Sequence, residues 1–296
     1  MIRLPHHASN RKTEVLAGLT TFFTMVYIIV VNPVILSDAG VPFEQAFTAT
    51  VIATVVGTLW MAIFANYPIA IAPGMGLNAY FAYSVVGSHG GISYETAFSA
   101  VFVAGVLFLL LSLTPLRSKL IEVIPDSLKH GITAGIGLFI AFIGLRLTGI
   151  IQAHPQNLVA LGNLHAPSAV LTLIGLAVTL VFMMRGVNGA LFYAMVATGV
   201  IAYATGQLHF DKGIVSLPSL PEGLVAANPL TAVGDVISHS LYAVVFSFLL
   251  VTLFDTTGTM IGVAQQAGLM KGNTLPRARE ALLADSVATT ICAMFG

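Results

Sequence analysis

Nine stretches of the chain are almost entirely apolar, and most of them are long enough to cross a lipid bilayer. A helix rises about 1.5 Å per residue, so about 20 residues cover a hydrocarbon core of about 30 Å. Polar residues are concentrated between the stretches, which predicts membrane helices joined by loops. The predicted spans are Glu14–Leu36, Gln45–Ala65, Pro68–Val86, Tyr94–Pro115, Leu128–Ile151, Ser168–Met184, Gly189–Gly206, Ile237–Ala267 and Arg279–Gly296.

The third stretch, Pro68–Val86, is too apolar for a surface loop and too interrupted for one complete helix. Pro68 and Pro73 favour extended geometry in the residues before them, and Gly74 and Gly76 tolerate backbone angles that other residues avoid. The remaining residues fit a helix that covers only part of the bilayer. We therefore expect an extended entry followed by a half-helix.

A broken segment of this kind predicts a cavity. Inside a membrane, irregular backbone is tolerated only where it is buried in protein or lines a wet cavity, because free N–H and C=O groups cannot face lipid. The half-helix would direct its positive dipole end toward Asn78, with Tyr80, Phe81 and Tyr83 close by. We interpret this segment as a small-molecule site; an ordinary Gly/Pro kink packed against neighbouring helices is the alternative.

Composition excludes an ordinary soluble domain, since 57% of the residues are hydrophobic and 8% are charged. The single cysteine, Cys292, excludes an internal disulfide framework and a cysteine metal cluster. The sequence contains no HExxH, GxSxG or Walker motif, so we expect no enzyme, cofactor or metal site, and no nucleic-acid partner. AVGD at 232–235 only half matches the GxGD of intramembrane aspartyl proteases, and we interpret it as coincidence.

The basic residues predict an orientation. If the spans alternate from a cytoplasmic N-terminus, ten of the twelve Lys and Arg residues fall in inner loops, while Arg146 and Lys212 fall outside. This asymmetry fits the positive-inside rule and predicts a multi-pass protein of the cytoplasmic membrane. The inner residues are Arg3, Arg11, Lys12, Arg117, Lys119, Lys129, Arg185, Lys271, Arg277 and Arg279.

The connections indicate how the chain is organised. Residues 116–130 mix charged and apolar positions at helical spacing, which predicts a short interfacial helix or a linker. Residues 207–236 are predicted to form an ordered external loop. The ninth stretch has no polar tail, so we expect the sequence to be part of a longer transporter with two inverted repeats, the second beginning near Ile237.

Two acidic residues, Asp255 and Asp285, lie well inside predicted spans. Ionisable groups at such depth usually face a cavity or a partner, which makes both functional candidates. Thr259 follows Asp255 at i+4 on the same helical face, so the two could bind one ligand together. A carboxylate satisfied by neighbouring threonines is the alternative for Asp255. For Asp285, a structural hydrogen bond and a role in coupling both stay open.

Three segments of the chain resemble the AzgA-like guanine/hypoxanthine permeases of the nucleobase/cation symporter and xanthine/uracil permease superfamily. They occur in the expected order and spacing, and each is longer than a chance motif. The segments are TEVLAGLTTFFTMVYIIVVNPVIL at Thr13–Leu36, APGMGLNAYFAY at Ala72–Tyr83 and LFDTTGTMIGVAQQAGL at Leu253–Leu269.

The resemblance implies an all-α polytopic membrane fold of two inverted seven-span repeats, whose third segment pairs a short strand with a half-helix. It implies a core domain from spans one to four at 13–115, a gate domain at 116–236, and the start of the second-repeat core at 237–296. The rest of that second repeat, including a second acidic substrate contact, would follow Gly296. A homodimer is implied by resemblance alone.

The resemblance also implies import of purine nucleobases by proton symport, with hypoxanthine and guanine as substrates and adenine as a further candidate. Asn78 and Phe81 match the family's third-segment site, and Asp255 matches its eighth-segment acid. We expect Asp255, aided by Thr259, to accept a purine N–H, Asn78 or the half-helix amides to meet an acceptor edge, and Phe81 to line or stack on the ring. Asp255 and Asp285 are the candidates for proton coupling.

Other functions stay open at this point. The same fold could carry uracil, xanthine or an anion, and sodium could replace the proton. A channel, an intramembrane enzyme and a membrane scaffold that transports nothing are further alternatives. The broken segment and Asp255 form two local polar sites and not a continuous polar stripe, which favours a carrier over a channel.

Overall fold

The computed structural model describes residues 11–86, 92–114, 126–187, 189–208, 228, 231–269 and 276–295. Regular structure in these ranges is mainly helical. The helices are α1 (Arg11–Met25), α2 (Ile28–Ser37), α3 (Phe43–Trp60), α4 (Met75–Ala79), α5 (Tyr94–Leu113), α6 (Asp126–Leu147), α7 (Pro167–Met184), α8 (Ala190–Ala204), α9 (Ala232–Ser238), α10 (Tyr242–Gln266) and α11 (Ala278–Phe295). The predicted interfacial helix at 116–130 falls largely outside the described residues, as does most of the predicted external loop at 207–236.

Five helical stretches are long and apolar enough to cross a membrane. All five coincide with predicted spans, and two shorter apolar helices, Gly137–Leu147 and Ala190–Ala204, lie within two more. Apolar helices of this number and length are typical of a multi-pass membrane protein. The count of nine spans and the inverted repeat stay predictions. The five stretches are Arg11–Ser37, Phe43–Ala65, Tyr94–Leu113, Pro167–Met184 and Tyr242–Ala264.

One predicted span contains a break, and the boundary of another was wrong. The first span is divided at residues 26–27 between α1 and α2. The eighth does not begin at Ile237, which belongs to the separate short helix α9. A turn that includes Ser240 at φ 53° divides α9 from α10. Hydropathy could not place these breaks, because the residues on both sides of each are apolar.

A β-hairpin that the sequence analysis did not predict follows α6. Strands β1 (Ile151–His154) and β2 (Leu158–Leu161) pair antiparallel, with Ile151 opposite Leu161. The His154 ring Nδ1 accepts from the backbone N–H groups of Gln156 and Asn157, both at 3.3 Å, and so holds the connecting turn. The Pro-Gln-Asn turn was a usable signal.

The described residues divide into two compact units. The first contains those of Ile28–Ile136 and Ser219–Gly296, and the second those of Ala8–Tyr27 and Gly137–Pro218. In the second, α7 packs against α8, and the hydroxyl of Thr198 lies where a side chain on Gly175 would be. Phe23 stacks on Phe192, with 4.4 Å between ring centroids.

The first unit is organised around α11, which packs against both α3 and α5. Small residues permit these contacts: Ala281, Ala284 and Ser286 are fully buried in α11. A Cβ placed on Gly57 would lie 3.1 Å from the Cβ of Ala288, and one on Gly105 would lie 3.2 Å from the Cα of Thr290. Apolar burial drives membrane helices together weakly, so close contact between small residues has a large share in their association.

The third segment enters the first unit without helical structure. A π-helical segment, Met61–Ala65, continues α3 and ends at Asn66, which has the left-handed φ of 55° that asparagine tolerates. Residues 66–74 form neither helix nor strand, so the short strand implied by the resemblance is not seen there. No described chain lies alongside as a strand partner.

The backbone of this entry is nevertheless held at two points. The Thr58 hydroxyl donates to the Ile71 carbonyl at 3.2 Å, and the Ile71 N–H donates to the same hydroxyl at 3.1 Å. The Tyr67 hydroxyl donates to the carbonyl of Pro276, just before α11. Helix α4 then begins and continues as π-helix through Tyr80–Val86, in agreement with the predicted half-helix.

Gly105→Leu is expected to destabilise the fold by about 1–3 kcal/mol, because the new side chain would meet the backbone of α11. Gly137→Leu is the matched control, since nothing lies within 4 Å of a Cβ at that helical glycine. Detergent-induced unfolding measures both. Equal stability of the two variants would contradict the close α5–α11 contact.

Candidate functional site

A cavity of about 100 Å³ lies where the half-helix begins, inside the first unit. By the measure in which one water needs about 10–15 Å³, it has room for several waters or for a small molecule in their place. Its lining is mixed. Three aromatic rings, two asparagines and three threonines lie among aliphatic side chains: Phe81, Phe98, Phe248, Asn32, Asn78, Thr50, Thr252 and Thr289.

Gly74 forms the junction between the extended entry and α4. Its backbone is extended, and its carbonyl accepts the N–H groups of Leu77 and Asn78 at 3.1 and 3.2 Å. A Cβ at this position would lie 3.0 Å from Oδ2 of Asp255. Glycine therefore lets the carboxylate of α10 approach the start of the half-helix, where the dipole of α4 is positive.

Asp255 is half-buried at the edge of the cavity, beside Gly74. Its carboxylate accepts no hydrogen bond from the described residues. Asp285 differs, because the buried Thr256 hydroxyl donates to its Oδ2 at 2.5 Å. The two carboxylates are close enough to interact electrostatically. The structure thus brings both predicted acids together.

Thr259 lies outside the cavity lining, one turn beyond Asp255. Its hydroxyl donates to the backbone carbonyl of Asp255 at 2.7 Å, and the residue is exposed. Its proton is therefore used within the helix, which leaves the hydroxyl oxygen as an acceptor.

Asn78 is the last member of a directed chain of hydrogen bonds. The Thr50 hydroxyl donates to the Ala46 carbonyl at 2.6 Å and accepts from Nδ2 of Asn32 at 2.7 Å. The Asn32 Oδ1 in turn accepts from Nδ2 of Asn78. Each donor is thereby assigned, and the carbonyl oxygen and second N–H of Asn78 are left for other contacts.

Phe81 belongs to an aromatic wall. Its ring is 2% exposed and lies 4.5 Å from Phe98 and 6.5 Å from Phe248, between ring centroids. Such pairs fix ring orientation more firmly than aliphatic contacts do. The cavity therefore offers a planar ligand a rigid apolar wall beside its polar groups.

Sequence reasoning missed several cavity residues, although helical spacing held the signal. Phe248 and Thr252 precede Asp255 at i−7 and i−3, which places all three on one face of α10. On α11, Thr289 and Cys292 follow Asp285 at i+4 and i+7. All four missed residues line the cavity. Among the described residues, no cluster of His, Cys, Asp or Glu could hold a metal.

Comparison with known proteins identifies the family. The profile of the Permease family matches residues 12–296. The chain belongs to the Permease family. Its predicted resemblance is confirmed, and so is the prediction of a membrane transporter over an enzyme, because the family and the similar proteins are permeases.

Curated relatives cover the whole chain. The guanine/hypoxanthine permease PbuO of Bacillus subtilis is 69% identical over all of this chain and 69% of its own length. The guanine/hypoxanthine permease PbuG of the same organism is 45% identical over 97% of the chain and 67% of its own length. The adenine permease AdeQ of Escherichia coli is 40% identical over all of the chain and 66% of its own length. The chain thus spans about two thirds of the length of these permeases.

The asparagine chain predicts coupled stability effects. Asn32→Ala and Asn78→Ala should each lower the free energy of unfolding by about 1–2 kcal/mol, because each leaves a buried partner unpaired. The double variant should lose less than the sum of the two. Thr54→Val is the control, since its hydroxyl donates only to the Thr50 carbonyl. Strictly additive losses in detergent-induced unfolding would contradict the chain.

Proposed function

We propose that this membrane protein imports purine nucleobases, chiefly hypoxanthine and guanine, by proton symport across the cytoplasmic membrane. One observation carries the proposal: the Asp255 carboxylate lies beside Gly74, at the start of the half-helix and at the edge of an aromatic-lined cavity. The printed functions of PbuO and PbuG support the same substrates. AdeQ supports adenine as a further candidate.

A purine base presents a flat ring with N–H donors and acceptor atoms at its edges, and the cavity offers matching groups. Asp255 accepts a ring N–H, since its carboxylate takes no hydrogen bond from the described protein. Asn78 donates its second N–H to an acceptor edge, and Phe81 lines the ring face. Polar groups of this kind discriminate strongly, because a mismatched ligand leaves them unpaired.

Thr259 assists Asp255 in this proposal in one of two ways. Its hydroxyl oxygen can accept from the base, or its bond to the Asp255 carbonyl can hold the local helix in place. Thr259→Val removes both, whereas Thr259→Ser keeps both.

Proton coupling is assigned to Asp255, with Asp285 as its neighbour. A protonated carboxyl group donates one hydrogen bond, while the ionised form only accepts, so a proton changes which ligand edge Asp255 can meet. Thr256 follows Asp255 directly on α10, and its hydroxyl donates to the Asp285 carboxylate on α11. Protonation from outside and release inside would then couple the gradient to movement of the carrier.

The two compact units support a division into a core and a gate. The first unit holds α4, α10 and α11, and with them the cavity, which suits the proposed core made from 13–115 and 237–296. The second unit suits the proposed gate at 116–236, although it also includes α1. The homodimer and the second-repeat half of the site are retained as parts of the proposal.

The proposed anion carrier is less well supported. The positive end of the half-helix dipole suits an anion. The Asp255 carboxylate lies beside that end, however, and its negative charge would repel a bound anion. Uracil and xanthine remain compatible with the cavity chemistry and are included as competitors in the uptake test.

Asp255→Asn is expected to abolish proton-driven uptake, because an amide cannot bind and release the proton. Uptake of labelled hypoxanthine is measured in cells that lack their own purine permeases and express the protein from its complete gene. A protonophore should reduce uptake by the unaltered protein to background. Thr48→Val is the control, since its exposed hydroxyl donates only to the Glu44 carbonyl.

The outcomes separate the parts of the proposal. Protonophore-sensitive uptake that survives in Asp255→Asn would remove Asp255 from coupling. Uptake that follows the sodium gradient would replace the proton. A well-expressed protein that takes up no base, with uracil and xanthine as further probes, would overturn nucleobase transport.

The proposed orientation is tested separately. In a Cys292→Ala background, Leu158→Cys should react with an impermeant maleimide in intact cells, because Leu158 is 81% exposed in the hairpin assigned to the outer side. Arg185→Cys, at the end of α7 on the proposed inner side, should react only after lysis. The reverse pattern would invert the topology.

A further inference from the structure

Threonines in the helices of this protein follow a common rule. Their hydroxyls donate to a backbone carbonyl of the preceding turn, which removes the cost of a free hydroxyl in an apolar setting. The bonds are short, between 2.6 and 3.0 Å. Threonines with an i−4 bond of this kind are Thr20, Thr21, Thr48, Thr50, Thr54, Thr172, Thr179, Thr198, Thr205, Thr259 and Thr290.

Thr58 and Thr256 donate to other protein groups, the Ile71 carbonyl and the Asp285 carboxylate. Thr252 and Thr289 also depart from this rule, and both line the cavity. Within the described part of the chain, neither hydroxyl has a hydrogen-bond partner. Thr252 is 6% exposed, and its hydroxyl is open to the cavity and not sealed within the protein. A cavity-facing hydroxyl that donates to no protein group is free to donate to a ligand or to an ordered water.

The placement of the two hydroxyls follows from the order of residues on their helices. On α10 the threonine precedes Asp255 by three positions, and on α11 it follows Asp285 by four. The threonine and the acid therefore occur in opposite order along α10 and α11. When the two helices face each other in antiparallel directions, Asp255 lies toward Asp285 and Thr252 lies toward Thr289. The Thr256–Asp285 bond and the shared cavity lining of the two threonines agree with this arrangement.

We propose that Thr252 and Thr289 donate to the two acceptors of a 6-oxopurine edge, the exocyclic oxygen at C6 and the ring nitrogen N7. This inference rests on the proposed purine transport. Guanine and hypoxanthine present two acceptors along this edge, whereas adenine presents N7 and an amino donor. N1–H, the C6 oxygen and N7 follow one another around the ring. They pair in that order with Asp255, with Thr252 one turn before it, and with Thr289 on the facing helix.

The pair thereby determines specificity. Two hydroxyl protons not used by the backbone match the two acceptors of a 6-oxopurine, while adenine leaves one of them opposite its amino group. The neighbouring Asp255 accepts from the N1–H donor of the substrate. The three protein groups together therefore recognise one donor followed by two acceptors along the edge of the base. Thr252 and Thr289 are specificity-determining contacts, distinct from the coupling assigned to the acids.

The experiment measures hypoxanthine uptake, with guanine and adenine as competitors, in cells expressing the protein from its complete gene. Thr252→Val and Thr289→Val should each raise the KM for hypoxanthine about tenfold with little change in kcat, because a neutral hydrogen bond is lost from binding. Inhibition by adenine should weaken by less than threefold, so the preference for hypoxanthine falls. The corresponding Ser variants should restore both values.

Analogues assign each contact. 6-Thiohypoxanthine keeps N1–H but replaces the C6 oxygen with a sulfur that accepts hydrogen bonds weakly, and 7-deazahypoxanthine lacks N7. Each should bind the unaltered protein more weakly than hypoxanthine, 7-deazahypoxanthine by about tenfold. The penalty for 6-thiohypoxanthine should disappear in Thr252→Val, and that for 7-deazahypoxanthine in Thr289→Val. Thr290→Val is the matched control. Thr290 is adjacent to Thr289 but does not line the cavity, and its hydroxyl donates to the Ser286 carbonyl.

Each result decides the matter. If both Val variants keep the hypoxanthine KM within twofold, or if Thr290→Val shows the same loss, the hydroxyl contacts are overturned and purine transport stands. If the analogue penalties persist in both Val variants, the assignment is overturned even where KM rises. If the unaltered protein takes up no purine, the proposed function and this inference are overturned together.

Discussion

The structure depends on how residues 66–74 satisfy their backbone polar groups within an apolar protein. A segment without helix or strand cannot pair its own N–H and C=O groups, and each unpaired buried group costs about 1–3 kcal/mol. Thr58 meets this requirement because its hydroxyl pairs with both the N–H and the carbonyl of Ile71. Gly57 has no side chain, so α3 and the segment that contains Ile71 can approach closely enough for these bonds. Tyr67 ties the same segment to Pro276. These bonds fix where the half-helix starts.

The start of that helix in turn determines the site. Because Gly74 carries no side chain, the Asp255 carboxylate can lie against the junction, and the aromatic and amide groups of the next turns face the same cavity. Elements far apart in the sequence meet there through the small residues of α11. A larger residue at Gly57, Gly74 or Gly105 would push these elements apart, because a Cβ at each position already lies within about 3.1 Å of a neighbouring atom.

The parts of this arrangement that the sequence predicted are those encoded locally. Hydropathy located the membrane helices, and Pro and Gly located the extended entry, because both signals act within a few residues. The break at 26–27, the turn before α10 and the partners of Asn78 depend on packing between distant segments. Asp255 was recognisable as a costly intramembrane acid. Phe248 and Thr252 were missed because apolar and weakly polar residues give no distinctive sequence signal for a cavity, even when they share a helix face with an acid.

In the proposed mechanism, the contrast between the two acids accounts for how one site serves both binding and coupling. Asp285 has a hydroxyl donor from Thr256, so its hydrogen-bonding capacity is partly met by the protein itself. Asp255 lies 30 positions earlier, next to Gly74, and it has no donor among the described residues, so its carboxylate is open to a ligand, a water or a proton. A carboxylate prepared in this way is costly when the cavity holds nothing that donates to it. In the proposed transport cycle this cost favours binding, because the less stable the empty site is, the more free energy the binding of substrate and proton releases.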